Sequence, residues 1–183
     1  MPLATETVVL GINDCKIGKL TADSGAAPTY DTLKDVPGIT SLKLTPTFVE
    51  KELKGDESII DKYSRLEKID WSIEHAKISL DVYAIMQGGT VTASGTAPNQ
   101  KQVYDLLSTD LPSYFKLEGQ ISYADTGIGD IHVLLHKCKA TKVDLEFKTE
   151  EYAVISASGT AIGTASNKKV LSMTFNETKT AIA

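Results

Sequence analysis

Three histidines, two cysteines and one stretch rich in acids and glycine are the groups whose types and spacing invite a chemical reading. His132 and His136 stand in an HxxxH spacing. On a helix that spacing puts two imidazoles on one face, as a zinc site needs. Here the surrounding residues, Ile131-His132-Val133-Leu134-Leu135-His136, read as a strand, and four strand residues at ~3.3 Å each part the two rings by about 13 Å. One metal ion cannot bridge that gap. His136 and Cys138 share a strand parity and lie closer, but two ligands do not close a zinc site. The turn from Asp125 to Asp130 lacks the spaced acids and the closing bidentate Glu of a calcium loop, so a plain hairpin turn is expected there. Cys15 and Cys138 are far apart in sequence, show no CxxC spacing and are expected to be reduced, partly buried thiols. No GxSxG elbow, phosphate loop or dinucleotide fingerprint is present, and no nucleophile, base and orienting group come together. Asn176-Glu177-Thr178 fits a glycosylation sequon, but no export signal precedes it. Catalytic, cofactor-binding and metal-binding residues are therefore expected to be none, and the chain is expected not to be an enzyme.

The elements that would carry these groups are mainly strands, because alternation outweighs helical period. Residues 7–21 read as a strand or tight hairpin punctuated by Gly11, Asn13 and Gly18. A loop at 22–38 is long for a compact domain and is expected to be disordered alone or ordered by a partner. A long strand over 39–54 decays into a charged tip, and a second over 66–76 sets Ile69, Trp71 and Ile73 opposite Lys68, Asp70, Ser72 and Glu74. Together they form a hairpin arm at about 50–66, read either as a solvated turn that blunts an edge or as a reach toward a neighbouring subunit. Ile78 to Gln87 is the clearest helix, with Ile78, Val82, Ile85 and Met86 on one stripe and Gly88-Gly89 as its stop. A weaker helical pattern covers 100–108. Strands follow over 114–123, 131–140, 143–147, 152–161 and 170–176. Roughly eight strands and one clear helix indicate a mainly β fold: two packed antiparallel sheets, a β-sandwich or partly open barrel, with one flanking helix. The string Ala93-Ser94-Gly95-Thr96-Ala97 recurs at Ala157-Ser158-Gly159-Thr160-Ala161. Chance is the favoured cause, with close backbone approach as the alternative.

At 183 residues the chain suits a single domain, and 42% hydrophobic with 23% charged residues leaves enough apolar material for a core. A formal charge of −5 argues against tight nucleic-acid binding, which depends on Lys and Arg neutralising phosphates. The one adjacent basic pair, Lys168-Lys169, extends into no longer run. Phe48, Trp71, Phe115 and Phe147 fall on apolar parities and are expected in the core rather than on a base-stacking surface. No segment reads as an export signal, and no run approaches the ~20 apolar residues that span a bilayer, so no membrane contact is expected.

Three stretches, taken together, resemble one family. They are Pro37-Gly38-Ile39-Thr40-Ser41-Leu42-Lys43-Leu44-Thr45-Pro46 with Lys54-Gly55-Asp56; Lys68-Ile69-Asp70-Trp71-Ser72-Ile73 running into Ile78-Ser79-Leu80-Asp81-Val82; and Tyr114-Phe115-Lys116-Leu117-Glu118-Gly119-Gln120 with Asp130 to Ala140. In this order they resemble the major tail tube proteins of long, non-contractile (siphovirus-type) bacteriophage tails, over most of 37–178. The resemblance implies a structural virion protein, made and assembled in the cytoplasm of the bacterial host. Its subunits would form hexameric rings that stack into a hollow tube through which phage DNA passes. It implies contacts with further copies, with a tape measure protein and with tail terminator and tip proteins. On that frame Glu67, Asp70, Glu74, Asp144 and Glu146 are the candidate lumen acids, able to repel phosphates so that DNA slides. Tyr30, Asp31, Lys54, Asp56, Glu57 and Lys62 are the candidate inter-ring contacts. Two other readings are a β-sandwich module that recognises a host-surface glycan and a tube subunit of a contractile tail or secretion machine.

Overall fold

A computed structural model of the chain describes residues 7–56, 58–124, 128–150 and 153–182. In chain order the elements are β1 (Asp14–Ala22), β2 (Thr29–Tyr30), β3 (Lys34–Asp35), β4 (Ile39–Lys54), β5 (Ile59–His75) and α1 (Leu80–Gln87). There follow β6 (Thr90–Ser94), β7 (Lys101–Asp105), β8 (Phe115–Ser122), β9 (Asp130–Leu145), β10 (Ile155–Ala161) and β11 (Leu171–Asn176). Nine strands form one antiparallel sheet in the order β2-β1-β8-β9-β10-β5-β4, with β3 also on β1 and β11 also on β9; β6 and β7 make a separate hairpin. Strand β9 is the spine. Along one edge it pairs with β8, and along the other it takes β10 on its C-terminal half and β11 on its N-terminal half.

The sheet folds over so that its two ends face each other, which gives the two-layer, partly open barrel. The Trp71 ring of β5 meets the Phe115 ring of β8 edge-on at 5.6 Å. Leu42 of β4 lies so close to Gly119 of β8 that a Cβ there would sit 2.8 Å from it. Period-2 alternation selects the inward set: Cys15, Ile17, Ile69, Trp71, Ile73, Phe115, Leu117, Leu135, Cys138, Ala157 and Ala161 are buried together. The α1 helix adds Val82 and Met86 to this core and ends where Gly88 and Gly89 take positive φ.

Several expectations change. The 100–108 segment is a strand and turn rather than a helix, since β7 pairs with β6 over five residues. A short helix needs packing to hold it, whereas here Tyr104 pairs with Val91 and Val103 with Thr92 across a hairpin, and the Tyr104 hydroxyl donates to the Gly88 carbonyl at 2.8 Å. Phe48 and Phe147 are more than half exposed rather than core. Both alternate correctly, but they lie past the ends of the packed layers. Of the expected 143–147 strand, residues 143–145 are the end of β9, and 146–147 lie beyond it. The 22–38 loop is held by its own chain, through β2 and β3 on β1. His136 and Cys138 do not share a face: Phe115 and Leu117 face Cys138 and Leu135, so β9 carries one extra residue between them and its parity switches. Of the 125–130 turn, residues 125–127 lie outside the described residues; Ser122 pairs with Asp130, as in a hairpin. The two similar strings have unlike roles. Gly95 closes a turn at φ 85°, while Gly159 sits mid-strand, where a Cβ would lie 2.1 Å from the Lys139 carbonyl oxygen.

Candidate functional site

The outward parity of β9, β10, β5 and β4 makes one broad polar face, read most simply as rows across the four strands. One row is Lys139, Thr160, Asp70 and Thr45; the next is Lys142, Ser158, Ser72 and Lys43; the third is Asp144, Ser156, Glu74 and Ser41. Side chains between the charges are all Ser or Thr. The three rows carry three lysines against three acids and sum to zero, although they differ in sign; Lys68, one step further along β5 and paired with Asp70, adds a fourth lysine at their border. A shallow depression of about 300 Å³ lies at a second β9 bulge, where Thr141 is the extra residue against β10, bordered by Lys43, Asp70, Ser72, Thr141, Ser158 and Thr160.

Two of the three acids on this face have a lysine of their own strand beside them. Asp70 accepts from Lys68 Nζ at 3.0 Å and from the Thr47 hydroxyl at 3.1 Å, and the Lys68 ammonium holds its carboxyl below the usual carboxylate range. Asp144 pairs with Lys142 of its own strand. Thus Asp70, Glu74 and Asp144, expected from sequence to share a surface, do so. The other two acids lie elsewhere. Glu67 is the extra residue of a β5 bulge, because Thr47 faces Lys68 while Phe48 faces Leu66. Glu146 lies beyond β9 and pairs with Lys148 at 3.3 Å.

Beyond the end of β10, β4 and β5 run on as a two-stranded arm from Phe48 to Leu66, paired with each other. Phe48, Leu53, Ile59, Ile60 and Tyr63 on it are each more than half exposed. Lys62 pairs with Glu50 at 2.8 Å, and Lys54 approaches Glu52 at 3.9 Å, so these two candidate contacts already have partners within the arm. Asp56 is exposed at the tip; Glu57 lies outside the described residues. Tyr30 and Asp31 are elsewhere, on the outer side of β1 and β8. The Tyr30 hydroxyl donates to the His136 carbonyl at 2.8 Å, and burial pushes its phenol up to about 12. The Asp31 carboxylate accepts from the Thr32 N–H at 2.8 Å.

Sequence reasoning missed the polar clamps on that second side. Asp23 accepts from Lys137 Nζ at 2.7 Å and from the backbone N–H groups of Ala165 and Ser166 at 2.9 and 3.1 Å. Those donors, led by Ala165, draw its carboxyl well below the usual range. Asp130, fully buried, accepts from Asn176 Nδ2 at 2.8 Å, from the Thr180 N–H at 2.9 Å and from Gln120 Nε2 at 2.5 Å. Burial pulls its carboxyl upward, and the donors outweigh that, so the net displacement is downward. No local pattern could reveal these sites, since Asp23 meets a strand more than a hundred residues away.

Most of the groups that first suggested chemistry are buried and have partners within the fold. His75 is buried and shares its Nδ1 with the Lys77 carbonyl at 2.8 Å, and burial lowers its basicity. His136 meets the Ser172 hydroxyl at 2.8 Å. Burial raises the Cys15 thiol to about 12 and the Cys138 thiol well above its ordinary value, which leaves both as poor nucleophiles. Among the described residues no three His, Cys, Asp or Glu side chains are grouped to hold a metal ion, and no helix is long and apolar enough to cross a membrane. No protein-family model matches the sequence, and no curated protein matches it.

Proposed function

We propose that the chain is a structural subunit of a hollow tube, of the kind the sequence resemblance suggests: rings of six copies, stacked into a phage tail that conducts DNA. The observation that carries this reading is the arm. A 48–66 hairpin that exposes five large apolar side chains beyond its own sheet is unstable as a free edge and invites pairing with another chain. The second support is the polar face. A wall of Ser and Thr whose charges nearly cancel offers phosphates little net attraction, because retention of DNA needs a large excess of Lys and Arg. It is nearly neutral rather than acidic, since Lys68 at its border brings the count to four lysines against three acids, and a near balance leaves DNA little net attraction. Assembly that closes in the ring and continues along the stack is the symmetry a filament requires.

The test is negative-stain electron microscopy of the full chain at high concentration, alone and with tail-tip complexes, beside light scattering. Uniform hollow tubes are expected. The triple variant Leu53→Ser, Ile60→Ser, Tyr63→Ser should keep the monomer's stability within about 0.5 kcal/mol, as exposed substitutions do, and should form no tubes. A chain that stays monomeric under both conditions, or a triple variant that still builds tubes, would refute the assignment.

A further inference from the structure

The adjacent pair Lys168-Lys169 extends into no longer basic run in the sequence, but it joins one in the fold. The Thr164 N–H closes the 164–169 turn on the Lys169 carbonyl at 3.1 Å. Asp23 ties that turn to β9, accepting from the Ala165 and Ser166 N–H groups and from Lys137 Nζ. Lys137 and Lys139 both approach the Tyr114 ring, their ammonium nitrogens 4.9 and 5.2 Å from its centroid. Lys116 lies over the Tyr30 ring at 5.5 Å, and the Tyr30 hydroxyl donates to the His136 carbonyl. His136 registers the same concentration of charge: burial first, and then the Lys169 and Lys116 ammoniums, lower its basicity. Only two of these five lysines have a carboxylate beside them among the described residues, Lys116 with Glu118 at 3.4 Å and Lys137 with Asp23 at 2.7 Å. The cluster therefore carries an excess of three positive charges on a chain whose formal total is −5.

A cleft adjoins the cluster. Residues 177–182 follow β11 and cross the outer side of β9, β8 and β1 as a strap. The Thr180 N–H donates to Asp130 Oδ2 at 2.9 Å, and the Ile182 carbonyl accepts from Lys16 Nζ at 2.8 Å. Beside the buried Ile182 lies an open cleft of about 550 Å³, bordered by Lys16, Tyr30, Asp31, Thr32, Leu33 and Lys116. Lys16 and Asp31 add one charge of each sign, and Leu33 and Ile182 form an apolar wall. Cleft and cluster meet at Lys116 and Tyr30.

Unpaired ammonium groups recognise carboxylates or phosphates. Three features select a polypeptide over a nucleic acid. Tyr114, the ring on which a base would stack, already holds two ammonium groups within 5.2 Å of its centroid. An excess of three charges is small against the roughly 6–10 phosphate contacts of a strong duplex binder, and the acidic remainder of the chain repels a long polyanion. The apolar wall of the cleft suits hydrophobic side chains, which a phosphodiester backbone lacks. We infer that this surface docks an acidic segment of a partner protein: its carboxylates meet Lys139, Lys168 and Lys169, and its apolar side chains enter the cleft between Leu33 and Ile182. The inference does not rest on the tube reading, since a monomer carries the whole surface.

The test is fluorescence anisotropy on the full chain, with a labelled peptide of about twelve residues alternating Glu and Leu and a labelled DNA duplex of about 20 base pairs. The peptide should bind, more tightly than the duplex, and its affinity should fall as salt rises from about 50 to about 200 mM. Lys139→Glu with Lys169→Glu should weaken peptide binding about tenfold or more, whereas Lys139→Arg with Lys169→Arg should keep it. Lys77→Glu with Lys101→Glu makes the same change in net charge at two other exposed positions and should alter binding less than about twofold. Absence of peptide binding, equal losses in the two glutamate pairs, or tighter binding of the duplex would overturn the inference.

Discussion

The two halves of the sheet's outer side are built from the same alternation and finished in opposite ways. Across β4, β5, β10 and the C-terminal half of β9 the outer side is bare: Ser and Thr, nearly balanced charges, and among the described residues no segment laid over it. Across β1, β8 and the N-terminal half of β9 it is clad by the 22–38 loop and the strap, pinned through Asp23, Tyr30, Asp130 and His132. A bare face depends on the strands themselves being flat and closely paired. A clad face depends on a few buried polar contacts between segments remote in sequence. The two halves should therefore fail differently.

The largest effect is expected from Gly159→Val on the bare half. The added side chain would meet the Lys139 carbonyl oxygen and the Ala140 backbone, neither of which can turn aside. Overpacking against yielding side chains costs about 1–3 kcal/mol, and against backbone more, so urea unfolding should show loss of most of the stability. Gly25→Ala, at φ 79° with nothing within 4 Å, should cost only about 1 kcal/mol, the penalty of the left-handed backbone. Equal losses at the two sites would mean that close pairing is not what holds the bare half.

On the clad half, Asp130→Ala removes a buried acceptor that three partly exposed donors share and should cost about 1–2 kcal/mol. Hydrogen exchange should place that loss first in the strap and in β11, before the sheet. The pH dependence follows from sign. The Asp130 carboxyl is displaced downward in the fold, so its contribution is present above the ordinary carboxylate range and lost as the pH falls below about 4. Thr180 amide protection should therefore fall as the pH drops below about 4. A Thr180 protection unchanged from about pH 7 to about pH 3 would remove Asp130 from the docking of residues 177–182. A smaller step is Tyr30→Phe, which deletes the bond to the His136 carbonyl and should cost about 1 kcal/mol in the denaturant midpoint.

The bare half was legible in the sequence and the clad half was not, for a physical reason. Alternation is local, so Lys68, Asp70, Ser72 and Glu74 could be set against Ile69, Trp71 and Ile73 before any pairing was known, and the folded strand keeps that division. Parity does not reveal where the opposing layer ends, which is why Phe48 and Phe147 look like core residues and are not. Nor does it survive an unannounced extra residue: the β9 bulge moves Cys138 inward beside Leu135 and leaves His136 outside. Asp23, Asp130 and His132 act through partners supplied by other parts of the chain, and no window of neighbouring residues contains them.

The smallest stability change should come from altering the bare face's charge, where the functional effect should be largest. Glu74 and Asp144 lie in one row with Ser156 between them, a like-charged pair on an exposed surface. Replacing both by lysine should move stability by no more than about 0.5 kcal/mol. It takes the three rows from three lysines against three acids to five lysines against Asp70 alone, a net change from zero to four positive charges. Binding of double-stranded DNA, absent or weak in the wild-type chain, should then appear with a steep salt dependence, since each neutralised phosphate adds about 0.9 to the logarithmic slope. The same two substitutions placed on the arm, Glu50→Lys and Glu52→Lys, would test position rather than charge. DNA retention by the arm variant alone would detach passage from the bare face, whereas retention confined to the Glu74 and Asp144 variant would tie the neutral wall to a polyanion moving along it.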